Sequence, residues 1–194
     1  MSDLIEQSAT YWDRHNVAPE DDVRYWLGVQ AVRQDVNQRL SGDPETLGIR
    51  HFLDSFKDRW PLARALSVGC GAGELERGVV GLGAVASIDG IDVSRSSLDL
   101  ARRLAAEEGL EKQIDYFESD ALSWLERKVT EGDGYDLVFF HGCLHHFEAL
   151  EPIIDATVRL LQERRDSMFF VDEYIGPSRN EWTEEVLGLS LIHI

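Results

Sequence analysis

The chain holds only two cysteines, Cys70 and Cys143, has no apolar run long enough to cross a bilayer, and carries few basic residues. Two thiols so placed build neither a disulfide scaffold nor a C-x-x-C metal site, and they suit a reducing cytoplasm. The missing apolar run excludes a membrane-spanning helix, and the acidic start Met1-Ser2-Asp3 is no signal peptide. Nineteen lysines and arginines against 36 acidic residues leave a formal charge of −17. A surface of that sign repels phosphate backbones, so nucleic acid is excluded as a partner and an anionic membrane surface is disfavoured. No repeat or low-complexity tract interrupts the 194 residues, and their 43% hydrophobic content predicts one domain with a sizeable core.

A glycine is also missing where a dinucleotide-binding loop needs one. Residues 65–76 read ALSVGCGAGELE: Ala65, Leu66, Ser67 and Val68 run into Gly69, Gly71 and Gly73, and a helix-like segment follows. A buried strand ending in glycines before a helix opens a crevice at the carboxyl edge of an α/β sheet. A side chain there would block both the turn and the ligand's approach to the backbone. The dinucleotide fingerprint G-x-G-x-x-G requires glycine at position 74, which is Glu74, and Glu76 follows. Two carboxylates at a helix start suit the helix dipole but repel a pyrophosphate. They fit a phosphate-free and preferably cationic nucleoside. S-adenosylmethionine, with its adenosine, amino acid and sulfonium, has that character. At this point the sequence resembles the class I S-adenosylmethionine-dependent methyltransferases, in which a hydrophobic strand runs into G-x-G-x-G.

Downstream segments follow in order. Residues 85–93, VASIDGIDV, read as a second strand ending in Asp92, about 20 residues beyond the glycines. A carboxylate at that tip can accept from both ribose hydroxyls at once through charge-assisted bonds. Its alternative role is to cap the helix beginning near Ser94, which Ser94 can do itself. Residues 96–109 read as a helix with a glycine stop, 114–122 as a third strand and its exit, and 136–140 as a buried fourth strand. A helix over 151–163 and a fifth strand over 167–174 complete the alternation. Such alternation implies a parallel sheet with its strand tips on one edge.

The resemblance covers residues 65–174 and implies a Rossmann-like, doubly wound parallel sheet of order 3-2-1-4-5, preceded by N-terminal helices. It places Gly69, Cys70, Gly71 and Gly73 in the cofactor loop, Val93 against adenine, and Asp120 with Ala121 at the adenine edge. His141 falls at the cofactor end of the fourth strand. Leu144-His145-His146 resembles the L-H-H that opens the next helix in many small-molecule methyltransferases. His145 and His146 are the candidates for proton transfer, with capping or packing as the alternative role. Glu173 and Tyr174 are substrate-side candidates in EYIGPSRNEW, a signature-like stretch of a bacterial subgroup. No metal is implied, since a turn separates His141 from His145 and no carboxylate pattern accompanies them.

Residues 1–60 read as an N-terminal helical segment, with a helix over 21–40 and Val23, Trp26, Leu27, Val36 and Leu40 as its apolar face. Tyr11 and Trp12 are lid candidates or plain docking aromatics. Residues 61–188 read as the cofactor domain. The last six residues, 189–194, resemble the translation of a transposon-end adapter, so the chain is expected to be a truncated fragment lacking the last two strands of the family's sheet. The expected function is methyl transfer to a small-molecule acceptor by in-line displacement. A nicotinamide-dependent oxidoreductase and a non-catalytic binding domain remain as alternatives. Oligomeric state is not legible.

Overall fold

The computed structural model describes residues 6, 9, 10 and 30–173. Tyr11, Trp12, Tyr174, the first part of the expected 21–40 helix and the 189–194 tail lie outside the described residues. The continuous described stretch divides into two compact units, 30–51 and 52–173.

In the smaller unit α1 (Gln30–Ser41) ends at Gly42, whose φ is +81°. The buried Asn37 amide donates to the Pro44 carbonyl at 2.9 Å and closes the turn after it. Leu40, expected on the apolar face, is instead 51% exposed. Its end sits over Gly48, where an added Cβ would lie 2.9 Å away. The next helix, α2 (Gly48–Ser55), is followed by a 3-10 turn at Lys57–Arg59.

From there the chain alternates strand and helix: β1 (Ala65–Val68), α3 (Glu74–Gly81), β2 (Ile88–Asp92), α4 (Arg95–Glu107), β3 (Ile114–Glu118), α5 (Ala121–Glu131), β4 (Leu137–His141), α6 (Leu150–Gln162) and β5 (Met168–Asp172). The five strands form one all-parallel sheet in the order β3-β2-β1-β4-β5, the doubly wound arrangement expected. Every residue of β1 is buried, as are Leu137 to Phe140 of β4. Helices on both faces explain why these strands read as unbroken apolar runs. Leu66, Val68 and Ile91 pack with Trp124 and Leu125 of α5 and Ile153 and Leu160 of α6.

Ser94 caps α4 by accepting from Ser97 N, and Asp120 caps α5 by accepting from Ser123 N at 2.9 Å. The fourth connection departs from expectation. Leu144–His146 does not open the next helix but forms a separate 3-10 turn, closed by Phe147 in extended backbone, and α6 begins only at Leu150.

At the amino edge of the sheet a buried polar knot holds three segments. Asp89 accepts from the Arg64 guanidinium and from the Tyr135 hydroxyl, both at 2.6 Å, while Arg64 lies over the Tyr135 ring at 4.6 Å. Burial and the neighbouring carboxylate push the Tyr135 hydroxyl far above its usual range, so it stays a donor. Among the described residues no helix is long and apolar enough to cross a membrane.

Candidate functional site

The sheet grows one way from β1 to β2 and the other way from β1 to β4, and a cleft opens at the carboxyl end of that switch point. Its volume is about 180 Å³. The floor is the glycine turn after β1, with Gly69, Gly71 and Gly73 all at positive φ. Two of these positions show why glycine is required. A Cβ on Gly69 would stand 2.7 Å from Cys143 Cβ, whereas Gly71, at φ +51°, has nothing within 4 Å of that position. The first would collide with the neighbouring loop; the second presents bare backbone to open space.

Asp92, at the tip of β2, ties the floor to the wall. One carboxylate oxygen accepts from Gly71 N and the other from Ser94 N, each at 2.9 Å. Ser94 itself caps α4, so Asp92 braces the loop and retains a lone pair on each oxygen. Ile91 and Val93 make the adjacent wall apolar, and Ser119 and Ala121 line the side toward α5. The far wall is the turn after β4, with Gly142, Cys143, His146 and Phe147.

Of the expected site residues the cleft therefore brings together Gly69, Gly71, Asp92, Val93, Ala121 and His146. The others flank it. Cys70 follows Gly69 in the turn, and Gly73 is the N-cap of α3. Asp120 spends one oxygen on capping α5. The His141 imidazole pairs with Asp172 at 3.2 Å, and the bond to that carboxylate raises its pKa in spite of partial burial. His145 Nδ1 lies 2.7 Å from Glu173, which also accepts from the His145 backbone N–H at 3.3 Å. The His145 and His146 rings approach to 3.8 Å. Burial and the neighbouring imidazole lower the His146 pKa, which favours its neutral form.

Ser119, Gly142, Cys143 and Phe147 were not anticipated. Gly142 had a signal: a glycine straight after a buried strand, here at φ +62°, repeats the logic of Gly69. Burial pushes the Cys143 thiol up to about 12, so it lines the wall as a small neutral group. The burial of Glu76, read in the sequence as one of two acids at a helix start, was not anticipated either. Glu76 lies in the first turn of α3, fully buried, and neither carboxyl oxygen has a hydrogen-bond partner. Burial raises its pKa to about 7; Ser67 lies close enough to hold the value down but makes no well-aligned bond with it.

The cleft offers an acid, backbone N–H groups, small side chains and apolar walls, with no lysine or arginine among the described residues that line it. Such a lining suits a ligand without phosphates.

Residues 65–164 match the methyltransferase domain family. A ubiquinone biosynthesis O-methyltransferase of Burkholderia vietnamiensis is 33% identical over 99 residues, covering 51% of this chain and 40% of that protein. The protein of the same name in Thiobacillus denitrificans is 31% identical over 119 residues, covering 58% of this chain and 48% of its own. The chain thus spans less than half the length of these relatives. Magnesium protoporphyrin IX methyltransferase from Synechocystis PCC 6803, solved with bound S-adenosylmethionine, shares the fold with a TM-score of 0.56 at 17% identity, over 81% of this chain and 71% of that one.

Proposed function

The chain belongs to the family of methyltransferase domains, and from that membership we propose that it moves a methyl group from S-adenosylmethionine to a small-molecule acceptor by in-line displacement. The residues around the glycine turn fit this cofactor. Gly71 leaves its backbone open to an approaching ligand. Asp92 has lone pairs to spare for vicinal ribose hydroxyls, and the lining carries no cation that a phosphate would need. The Asp92 carboxylate, braced against the turn and facing the cleft, is the observation that carries the reading.

When bound, the cofactor supplies a methyl group on a cationic sulfur, open to attack from the opposite side. Asp92 would hold the sugar, Val93 would pack on adenine, and Asp120 with the Ala121 N–H would meet the polar edge of the ring. Gly69, Cys70 and Gly73 would shape the turn that takes the amino-acid end, and His141 at the end of β4 would complete that side. Held in that frame, the two reactants lose their rotational freedom before reaction, which supplies much of the rate.

His146 faces the cleft and its lowered pKa keeps it neutral, so it can take the proton that an acceptor hydroxyl loses. His145, anchored by Glu173, holds it in place. The O-methyltransferase relatives point to oxygen as the acceptor atom. The acidic composition and two separated thiols extend the proposal to a cytoplasmic enzyme that does not engage nucleic acid.

Calorimetric titration with S-adenosylmethionine, S-adenosylhomocysteine and NAD tests the assignment. Binding of the first two alone is the expected result. Binding of NAD alone would make the chain an oxidoreductase, and no heat from any of them a scaffold.

A further inference from the structure

Glu76 is the one fully buried side chain among the described residues with two orphaned oxygens. A carboxyl group in that condition weakens the fold whether charged or neutral, and an apolar side chain of similar size would not. Its orphaned state therefore needs an account.

The groups around it do not satisfy it. From its own helix, Arg77 contributes a positive field, but that guanidinium is committed to Glu108 at 2.8 Å and to the Ala72 carbonyl at 2.7 Å. From the end of β4, His141 contributes likewise, and it is committed to Asp172. β1 offers Ser67, without an aligned bond. Cys70 of the turn, Tyr116 of β3 and Cys143 beyond β4 feel the Glu76 charge, and burial raises all three, so they stay neutral near pH 7. Glu76 thus lies within the influence of β1, the glycine turn and the end of β4, where the nearby cations have other partners and the nearby thiols and phenol carry no charge.

We propose that Glu76, buried with both carboxyl oxygens unpartnered, is the internal counter-charge for the cationic cofactor as it settles on the glycine turn. The inference rests on the methyltransferase reading and deepens it. The ligand brings two positive groups, the amino-acid ammonium and the sulfonium, into a site where Glu76 is an uncommitted acid. Binding ionises Glu76 and releases its proton to solvent. Because Glu76 is buried and is not among the residues that line the cleft, it would neutralise the ligand's charge without adding a polar group to the apolar wall.

The sign follows from linkage. In the free protein Glu76 titrates near pH 7, so at that pH roughly half of the molecules hold the proton, and binding releases about half a proton per ligand. Below pH 6 the release approaches one, and affinity falls by about tenfold for each further pH unit. Above pH 8 the Glu76 contribution vanishes.

The test is calorimetric titration of the intact chain with S-adenosylmethionine at pH 7, in buffers of different ionisation enthalpy, which counts protons directly. Glu76→Gln mimics the neutral acid in shape and is expected to release about half a proton less at pH 7 than the native chain, and to lose the part of the pH dependence of affinity that Glu76 sets. S-adenosylhomocysteine separates the two cations: equal release assigns the ammonium, and release with S-adenosylmethionine alone assigns the sulfonium. Binding by the native chain with no proton released, or the same release from Glu76→Gln, overturns the inference and leaves the methyltransferase reading standing. No binding of either ligand overturns that reading instead.

Discussion

The Gly71 N–H donates to the Asp92 carboxylate at 2.9 Å, so the middle of the glycine turn hangs from the tip of the neighbouring strand. The same carboxylate accepts from Ser94 N, and β1, β2 and α4 are thereby locked around one acid. Its two roles, bracing the loop and meeting the ligand, can be separated by substitution. Asp92→Asn keeps one acceptor for the backbone but loses the charge. Asp92→Ala loses both.

The cofactor affinity of Asp92→Ala is expected to fall by about 1–3 kcal/mol, the scale of losing charge-assisted hydrogen bonds. Asp92→Asn is expected to fall by less. Calorimetry reads both, and an unchanged affinity in Asp92→Ala would remove this residue from the site.

Glu76 also marks the stability curve of the ligand-free chain. Its folded pKa is about 7, above the unfolded value of 4.5. The folded state therefore keeps a proton that the unfolded state gives up between those values, and stability declines as pH rises through that window. The full decline is about 3 kcal/mol. Glu76→Gln cannot ionise and is expected to lose this dependence, becoming the more stable form above pH 7. Urea unfolding at pH 5 and pH 8 measures it, and parallel curves for the two proteins would show that the carboxyl is solvated.

A third substitution separates fold from function. Asp89 shares β2 with Asp92 but lies near the amino edge, where it satisfies Arg64 and Tyr135. Asp89→Ala leaves a buried phenol without its acceptor and the partly buried Arg64 guanidinium with only Asp133, at 3.4 Å. The expected destabilisation is about 2–4 kcal/mol, toward the lower part of the range for broken buried pairs because the Arg64 side chain is 30% exposed. Denaturant melts read it. Cofactor affinity below the melting transition should not change, and a matched loss of binding would mean that the amino edge reaches the cleft.

Most of the sheet was legible because buried parallel strands leave an unmistakable pattern. ALSV runs straight into Gly69 and LVFF reaches Gly142 one residue on, and each became a strand with both faces covered. Asp92 was legible through order alone: an acid ending the strand after a glycine turn has few places to go in a doubly wound sheet. The turn after β4 was not. Its backbone leaves β4 at Gly142 with φ +62°, and two histidines that read as a helix start were instead held in a 3-10 turn. The bond that fixes His145 comes from Glu173, 28 residues later, and no local pattern announces it. The burial of Glu76 was hidden for a different reason. An acid in the first turn of a helix ordinarily faces water and the helix dipole, and only the strands packed beneath α3 turned it inward.

The turn after β4 carries the last prediction. His146 lines the cleft with a pKa lowered by burial and by His145, and Glu173 anchors His145 through both its ring and its backbone. A base works only when neutral, so turnover should rise as pH increases through a midpoint below 6.5 and then level off. His146→Ala is expected to lower kcat by about 100- to 10,000-fold, the contribution of a positioned base, while cofactor affinity at neutral pH holds. Glu173→Gln keeps the shape of the anchor but removes its charge, and it should shift the pH midpoint rather than abolish turnover. The pH–rate profile against a hydroxyl-bearing acceptor distinguishes these roles. A flat profile with full activity in His146→Ala would mean that the acceptor arrives already ionised, leaving this pair of histidines to pack the wall.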